Sequence, residues 1–459
     1  MLNSGDTAWV LASAALVMLM TPGLAFFYGG MVRSKSVLNM LMMNFIALAV
    51  VGTLWFFYGF SFSFANDING AGLLGGFDFV GLENTAGKLA GFAVAANPDT
   101  GTAAVAWPGP DAIPVLAFCM FQLMFAVITP ALISGAVADR LKFWSWTLFV
   151  ALWVTFVYFP IAHMVWCWDG PDAFAKAALA GQSAIDAVSA DSGFLYNKGA
   201  LDFAGGTVVH INAGITGLVM CIMLGKRLGY PNEPMPPHSL TMTMIGASLL
   251  WVGWFGFNAG SNLEASSIAS VAFMNTMIAT AAAGMSWLLV EQAVKGKPSL
   301  LGAASGVVAG LVAVTPASGY AGTMGSVILG LMVSPICFFF VTVVKSKFGY
   351  DDSLDVFGVH CIGGITGAIM TGILDNPAFG GQGIADYTTK PGTMVAGTYD
   401  MVSQVITQIE AVGITLVWSG LGAAILFFVI DKVWGFRVSP EVEHEGLDIA
   451  EHGERAYHY

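Results

Sequence analysis

HINAGITG at 210–217 and HCIGGITG at 360–367 share His, Gly, Ile, Thr and Gly at the same offsets, 150 residues apart. An Asp stands shortly before each His: Asp202 in DFAGGTVVH and Asp355 in DVFGVH. Self-similarity at a fixed separation marks a duplicated structural unit, and missing it mis-assigns the whole architecture. What was duplicated depends on what surrounds the two copies.

The chain is 56% hydrophobic and 10% charged, with 56 Gly, 33 Phe and 23 Met, whereas a soluble domain is about a quarter charged. This is the composition of a membrane protein. A net charge of −12 without any basic cluster speaks against nucleic-acid binding. The cysteines Cys119, Cys167, Cys221, Cys337 and Cys361 have no paired spacing. They read as small apolar packing groups rather than a disulfide frame or a metal site. No nucleophile–base constellation or cofactor motif points to an enzyme.

About 20 apolar residues cross a hydrocarbon core of roughly 30 Å at 1.5 Å per residue. Eleven such windows are found, at 7–31, 37–64, 113–137, 143–165, 203–224, 241–259, 265–290, 299–315, 322–344, 355–374 and 409–434. MLNSGDTAW has no positive n-region and the run after it is too long for a signal core, so the mature chain is expected to begin near residue 1. Loops after odd-numbered spans hold Arg33, Lys35, Arg140, Lys142, Lys226, Arg227, Lys295, Lys297, Lys345 and Lys347. With Lys432, Arg437 and Arg455 these make 13 of the 17 basic residues. Basic residues are retained on the cytoplasmic side, which predicts the N-terminus outside and the C-terminus inside. Outer segments at 65–112, 166–202 and 375–408 are rich in Gly, Pro and Asp and read as caps or lids.

His210 falls on span 5 and His360 on span 10, so a duplicated five-span unit must insert upside down. Inverted repeats of this kind place their sites near the midplane, where the repeats meet. The expected organisation is an all-α transmembrane domain at 1–434, with repeat 1 at 7–224, repeat 2 at 241–374, a last helix at 409–434, and a tail at 435–459. After each His come small residues at +3, +4 and +7: Ala213, Gly214 and Gly217, and Gly363, Gly364 and Gly367. They share one helix face and let a neighbouring helix come close. Counted from Asp202, His210 lies about 12 Å deep, and counted from Asp355, His360 lies about 7–8 Å deep. An ionisable residue at such depth is a functional candidate, because a charge there costs at least about 2.5–3.5 kcal/mol. The plainer alternative is a neutral His bonded between helices. Asp202 and Asp355 each precede a helix and read as N-caps. Asp202 is also placed to lend negative potential to an arriving cation. Trp166, Phe121, Phe125, Trp254, Phe255 and Phe257 lie towards the outer side, where aromatic faces attract desolvated cations.

PGLAFFYGGMVRSKSVLNM, PIAHMVW, DFAGGTVVHINAGITG, GWFGFNAGS, GKPSLLGAASGVVAG and DVFGVHCIGGITGAIMTGI resemble the ammonium transporter (Amt/Mep/Rh) family, specifically its bacterial Amt branch. The likeness runs from about residue 7 to the end. It implies a homotrimer in the bacterial inner membrane, with one pore per subunit and no cofactor. By motif, Trp166, Phe125 and Ser261 resemble an ammonium-recruitment site shaped by Asp202. Phe125 and Phe257 resemble a stacked phenyl gate, His210 and His360 the twin pore histidines, and Phe27 and Tyr28 residues of the inner pore. Segment 167–200 has no assignable counterpart.

The resemblance implies that ammonium, or its analogue methylammonium, is recruited, deprotonated and passed as ammonia with or without its proton. The alternatives are an electroneutral Rh-like channel for ammonia or carbon dioxide, or an ammonium sensor acting through a PII-type partner. The tail, FRVSPEVEHEGLDIAEHGERAYHY at 436–459, reads alone as a frayed terminus. Its EGLDIAEHGERAY segment resembles the family's ordered cytoplasmic tail, which helps dock PII-type signal proteins.

Overall fold

In hydrocarbon every backbone N–H and C=O must be bonded within its own segment, so each long apolar run is a helix. The computed structural model describes residues 2–90, 113–168, 177–386, 393–395 and 399–458. The parts of the expected caps at 91–112, 169–176, 387–392 and 396–398 lie outside the described residues. Among the described residues, eleven helices are long and apolar enough to cross a membrane. Spans 1 to 5 are Ser4–Met31, Val37–Phe64, Val115–Val137, Phe143–Trp166 and Gly206–Leu224. Spans 6 to 10 are Leu240–Gly260, Ser267–Lys295, Leu300–Ala317, Thr323–Phe348 and Phe357–Leu374, and span 11 is Met401–Val433. A two-stranded antiparallel pair, Ile384–Asp386 with Thr393–Val395, follows span 10.

An odd number of spans puts the termini on opposite faces, called here the N-face and the C-face. Span 1 packs along span 6 more extensively than any other pair of described elements, and spans 5 and 10 cross each other. Those are the corresponding helices of the two five-span halves. The exterior carries apolar side chains such as Phe156, Leu289 and Leu421. All five cysteines are buried.

Span 11 begins at Met401 rather than 409. In its first turns Gln404 and Gln408, four residues apart, are buried instead of solvated. Asp400 caps them through the N–H groups of Val402 and Ser403. Gln408 donates to the carbonyls of Leu201 and Ala368 and accepts from the N–H of Leu201.

The cap expected of Asp355 belongs to Asp352. The Asp352 carboxylate accepts from Val356 N–H at 3.1 Å and Phe357 N–H at 2.7 Å. Asp355 sits in the left-handed region at φ 62° and turns its carboxylate to Lys345 Nζ, 2.6 Å away. Counted from Asp352, His360 is eight residues in, as His210 is from Asp202. The two histidines therefore stand at one level, and the unequal depths read from the sequence are corrected.

Carboxylates and serines close the helices that start on the C-face. Ser239 caps span 6 and Ser299 caps span 8 with their own hydroxyls. Ser36 and Lys142, which precede spans 2 and 4, make no side-chain cap. There the C-terminal tail intervenes. Its short helices Pro440–Glu445 and Leu447–His452 lie across the C-face. Asp448 accepts from Asn39 N–H at 2.9 Å, and Glu451 from Phe143 N–H at 3.0 Å. Glu443 accepts from Leu228 N–H and pairs with Arg437. The tail is thus ordered, against its composition.

The seam between spans 5 and 10 rests on two glycines. A Cβ on Gly214 would fall 2.4 Å from the backbone nitrogen of Cys361, and one on Gly364 would fall 3.0 Å from the Ile211 side chain. Each glycine faces the residue after the opposite His. Gly214→Ala is expected to force the spans apart and lower stability by about 1–3 kcal/mol. Gly52→Ala, where a Cβ would meet nothing within 4 Å, is expected to leave stability unchanged or raise it. Thermal unfolding of the purified protein in detergent reads both, and equal midpoints for the two variants would contradict the seam.

Candidate functional site

His210 is placed by the closure of span 5. The Asp202 carboxylate accepts from the N–H groups of Gly205, Gly206, Thr207 and Val208 at 2.6–3.2 Å, and from the Thr207 hydroxyl. Gly205, at φ +119°, lets the chain fold around the carboxylate. Both helices then open with a π turn, Gly206–Ile211 and Phe357–Cys361, and each His lies within it. Such wide turns recur at functional positions.

The two imidazoles meet nitrogen to nitrogen, Nδ1 to Nδ1 at 3.3 Å, with the rings inclined by 19°. Two like nitrogens attract only when one carries a hydrogen and the other a lone pair. The pair therefore holds a single shared hydrogen, and the rings adopt opposite tautomers. His210 Nε2 has no hydrogen-bond partner among the described residues. It borders a narrow cavity of about 10 Å³, room for one water-sized molecule. Met20, Leu24, Phe27, Ile128 and Leu132 line it together with His210 and His360.

Aromatic rings close this cavity towards the N-face. Phe257 lies 6.0 Å from His210, and Phe125 covers Phe257 with centroids 4.3 Å apart. Trp166 then meets Phe125 edge-on at 5.6 Å. The Trp166 indole donates to the Asp202 carbonyl at 2.9 Å, so the residue that caps span 5 also holds the last ring of the column. Ser261 ends span 6, one turn beyond Phe257, and its hydroxyl donates to the Phe257 carbonyl at 2.8 Å. Its hydrogen is thereby used and its lone pairs stay free to accept.

Of the residues singled out from sequence, Trp166, Phe125, Phe257, His210 and His360 form one continuous chain of contacts. Asp202 supports it through the main chain. Phe27 lines the cavity, but Tyr28 does not. The Tyr28 hydroxyl donates to the Leu132 carbonyl at 3.1 Å, and its ring fills the space beside Gly135. Asp355 takes no part. Trp254, which the sequence marks only as one of several outer aromatic residues, belongs to the site: its ring stacks on His210 at 5.3 Å and 14°, and its indole donates to Thr315 Oγ1 at 2.8 Å. Its place in GWFGFNAGS beside Phe257 was the available signal, but only the meeting of spans 5, 6 and 8 assigns the contact.

Two inverted five-helix halves meeting on a buried polar pair have the architecture of a membrane transporter. The chain belongs to the Ammonium Transporter Family, which it matches over residues 8–457. A relative described as an ammonium transporter from Mycobacterium tuberculosis is 48% identical over 460 residues, spanning 100% of this chain and 91% of the relative. One from Aquifex aeolicus is 44% identical, spanning 99% and 94%. The solved structure of Saccharomyces cerevisiae Mep2 superposes with a TM-score of 0.77 at 29% identity, covering 96% of this chain and 88% of that one. A structure described as a sensor Amt protein gives 0.80 at 26% identity, covering 98% of each. The protein is thus a multi-pass membrane transporter rather than an enzyme.

Thr315→Val removes the acceptor of the buried Trp254 indole and is expected to cost about 1–3 kcal/mol. Thr315→Ser, which keeps the acceptor, is expected to retain most of that stability. Thermal unfolding of the two variants side by side checks the assignment.

Proposed function

We propose that this protein moves ammonium by splitting it into ammonia, which passes through the cavity beside the histidine pair, and a proton, which the pair accepts and hands on to water at the C-face. The observation that carries this reading is the unbroken column Trp166, Phe125, Phe257, His210, His360, ending on a cavity for one small molecule. A bare cation is costly in so apolar a passage. Ammonium can give up its charge there by giving up a proton, whereas potassium, of similar size, has none to give. Selectivity then rests on chemistry where size alone fails.

In this reading Trp166 and Phe125 offer ring faces to the cation, and Ser261 offers an acceptor for one of its N–H groups. The Asp202 charge favours the cation's approach while its carboxylate stays engaged in the cap. Phe125 and Phe257 form the gate. Ammonia below the gate donates to or accepts from His210 Nε2, and the single hydrogen shared by the pair allows either direction. Phe27 stands at the exit, with Tyr28 behind it. The proposed orientation puts the N-face outside and the tail inside the cytoplasm of a bacterial inner membrane, supported by the Lys and Arg bias. The functional unit would be a homotrimer, and the ordered tail, which caps spans 2 and 4, would relay regulation from a PII-type partner.

Trp166→Leu with Ser261→Ala is expected to raise the apparent KM for methylammonium uptake by about tenfold or more, since a desolvated cation–π contact and a hydrogen bond are lost. Unchanged concentration dependence in proteoliposomes would remove the recruitment site. Replacing either His210 or His360 with Ala is expected to abolish the proton-linked current or to admit potassium. Electrical recording decides it: wild-type currents with intact potassium exclusion in both single variants would leave the pair a structural contact.

A further inference from the structure

A second polar node lies beside Trp166. His163 stands three residues before it on span 4 and is fully buried. Its Nδ1 faces the Ser63 carbonyl, near the end of span 2, at 3.3 Å. Its Nε2 lies 3.3 Å from Asp67 Oδ2. A carbonyl oxygen has no hydrogen to give, so Nδ1 is the donor. Nε2 then meets the carboxylate with a lone pair, which is repelled, or with a second hydrogen, which makes the ring a cation. The contact becomes an ion pair only while the ring holds both hydrogens, and among the described residues Nε2 makes no hydrogen bond.

Asp67 is held in its ionised form. Its Oδ1 accepts from Asn69 and Ala71 N–H at 3.0 and 2.9 Å, and its Oδ2 from Leu73 and Leu74 N–H at 2.8 and 3.2 Å. Burial raises its pKa, but backbone N–H groups and the neighbouring His163 outweigh that and hold it below the usual carboxylate value. The loop after span 2 is therefore wound around one carboxylate.

That loop is joined to a second one. Gly72 accepts from Phe194 N–H at 2.8 Å, and Gly193 N–H donates to the Cys167 carbonyl at 2.8 Å. A Cβ on Gly193 would lie 2.1 Å from the His163 carbonyl oxygen, so the two chains touch. The Cys167 thiol in turn donates to the Ala65 carbonyl. Segments 63–76 and 192–195 thus converge on 163–168, the end of span 4, which carries Trp166.

We propose that the buried His163–Asp67 contact is a positioning element for ammonium recruitment, locking both N-face loops onto the end of span 4 and so fixing the Trp166 indole over Phe125. This rests on the reading of Trp166 as the recruitment residue. A buried ion pair adds little net stability compared with apolar groups of the same volume, and its better-attested use is to fix register. Geometry at this point matters because the cation-facing ring is held by only one hydrogen bond of its own, to Asp202.

The test uses the full-length protein in proteoliposomes. His163→Gln keeps a donor for Ser63 without the charge, and Asp67→Asn keeps oxygen for the loop N–H groups without the charge. Each is expected to raise the apparent KM for methylammonium about fivefold with maximal uptake unchanged. The double variant is expected to be no worse than either single one, as for two members of a single unit. Hydrogen exchange of 69–74 and 192–195 should quicken in the same variants. Trp166→Leu is measured alongside. A raised KM in Trp166→Leu with wild-type KM in both pair variants overturns the proposal and leaves the recruitment reading standing. A wild-type KM in Trp166→Leu removes the recruitment reading, and the proposal with it. Loss of maximal uptake in parallel with KM, or additive losses in the double variant, also overturns it. Should Asp67→Asn, which keeps only one of the two accepting oxygens, fail to assemble, His163→Gln alone decides, since it leaves the Asp67 carboxylate and the loop's hydrogen bonds in place.

Discussion

A helix that begins inside a low-dielectric protein must find acceptors for its first N–H groups, and that requirement governs the centre of this molecule. Spans 5 and 10 begin next to buried carboxylates, Asp202 and Asp352, each eight residues before its histidine. The carboxylates satisfy orphan donors and oppose the positive end of each helix. From those fixed starts, one wide turn carries each imidazole to the place where the two helices cross. Without the caps neither ring has a defined height, and a 3.3 Å contact between them would not persist.

The same requirement explains the C-face. Arg140, buried completely, donates to the carbonyls of Ala138, Gly225 and Asp351 and to the Ser353 hydroxyl. Arg227 grips Asp351 with two nitrogens and also reaches Asp139, which Arg33 pairs with as well. Loops after spans 1, 3 and 5 and the approach to span 10 are thereby one polar network. The basic residues whose bias supports the proposed orientation also fasten the halves together. The tail completes the pattern, because its acidic residues supply acceptors to spans 2 and 4, which lack their own. A segment that is polar by composition is ordered here because unpaired N–H groups lie beneath it.

In the proposed function the site joins two kinds of selection in one line. There the rings of Trp166, Phe125 and Phe257 would replace water by flat, electron-rich faces, which suit a cation only while it sits above the gate. Below them the lining is apolar except at the imidazoles, which would suit a neutral molecule able both to donate and to accept. Stacking of Trp254 on His210, with its indole tied to Thr315, keeps that imidazole in the plane of its partner. The rigid parts lie on helices, and the parts that admit solute lie at helix ends.

Much of this was legible in the residues themselves. Apolar length fixes the spans, the odd count of a five-span unit fixes inversion, and the repeated His with small residues at +4 fixes a tight crossing. Those follow from the thickness of hydrocarbon and from helical periodicity, which are local. Other features depend on what a distant segment brings. Asp355 precedes its helix as a cap should, yet its left-handed backbone turns it away and Asp352 takes the position; the constant offset of 150 from Asp202 was the signal that pointed there. Span 11 extends to Met401 because Gly199, Leu201 and Ala368 pair its glutamines. The tail is ordered because spans 2 and 4 need its carboxylates, and His163 meets Asp67 across a turn and two helices. Sequence by itself determined which segments enter the membrane and that two of them match. Tertiary structure alone decided which carboxylate closes which helix, because a hydrogen bond is settled by the distance between atoms that the chain places far apart.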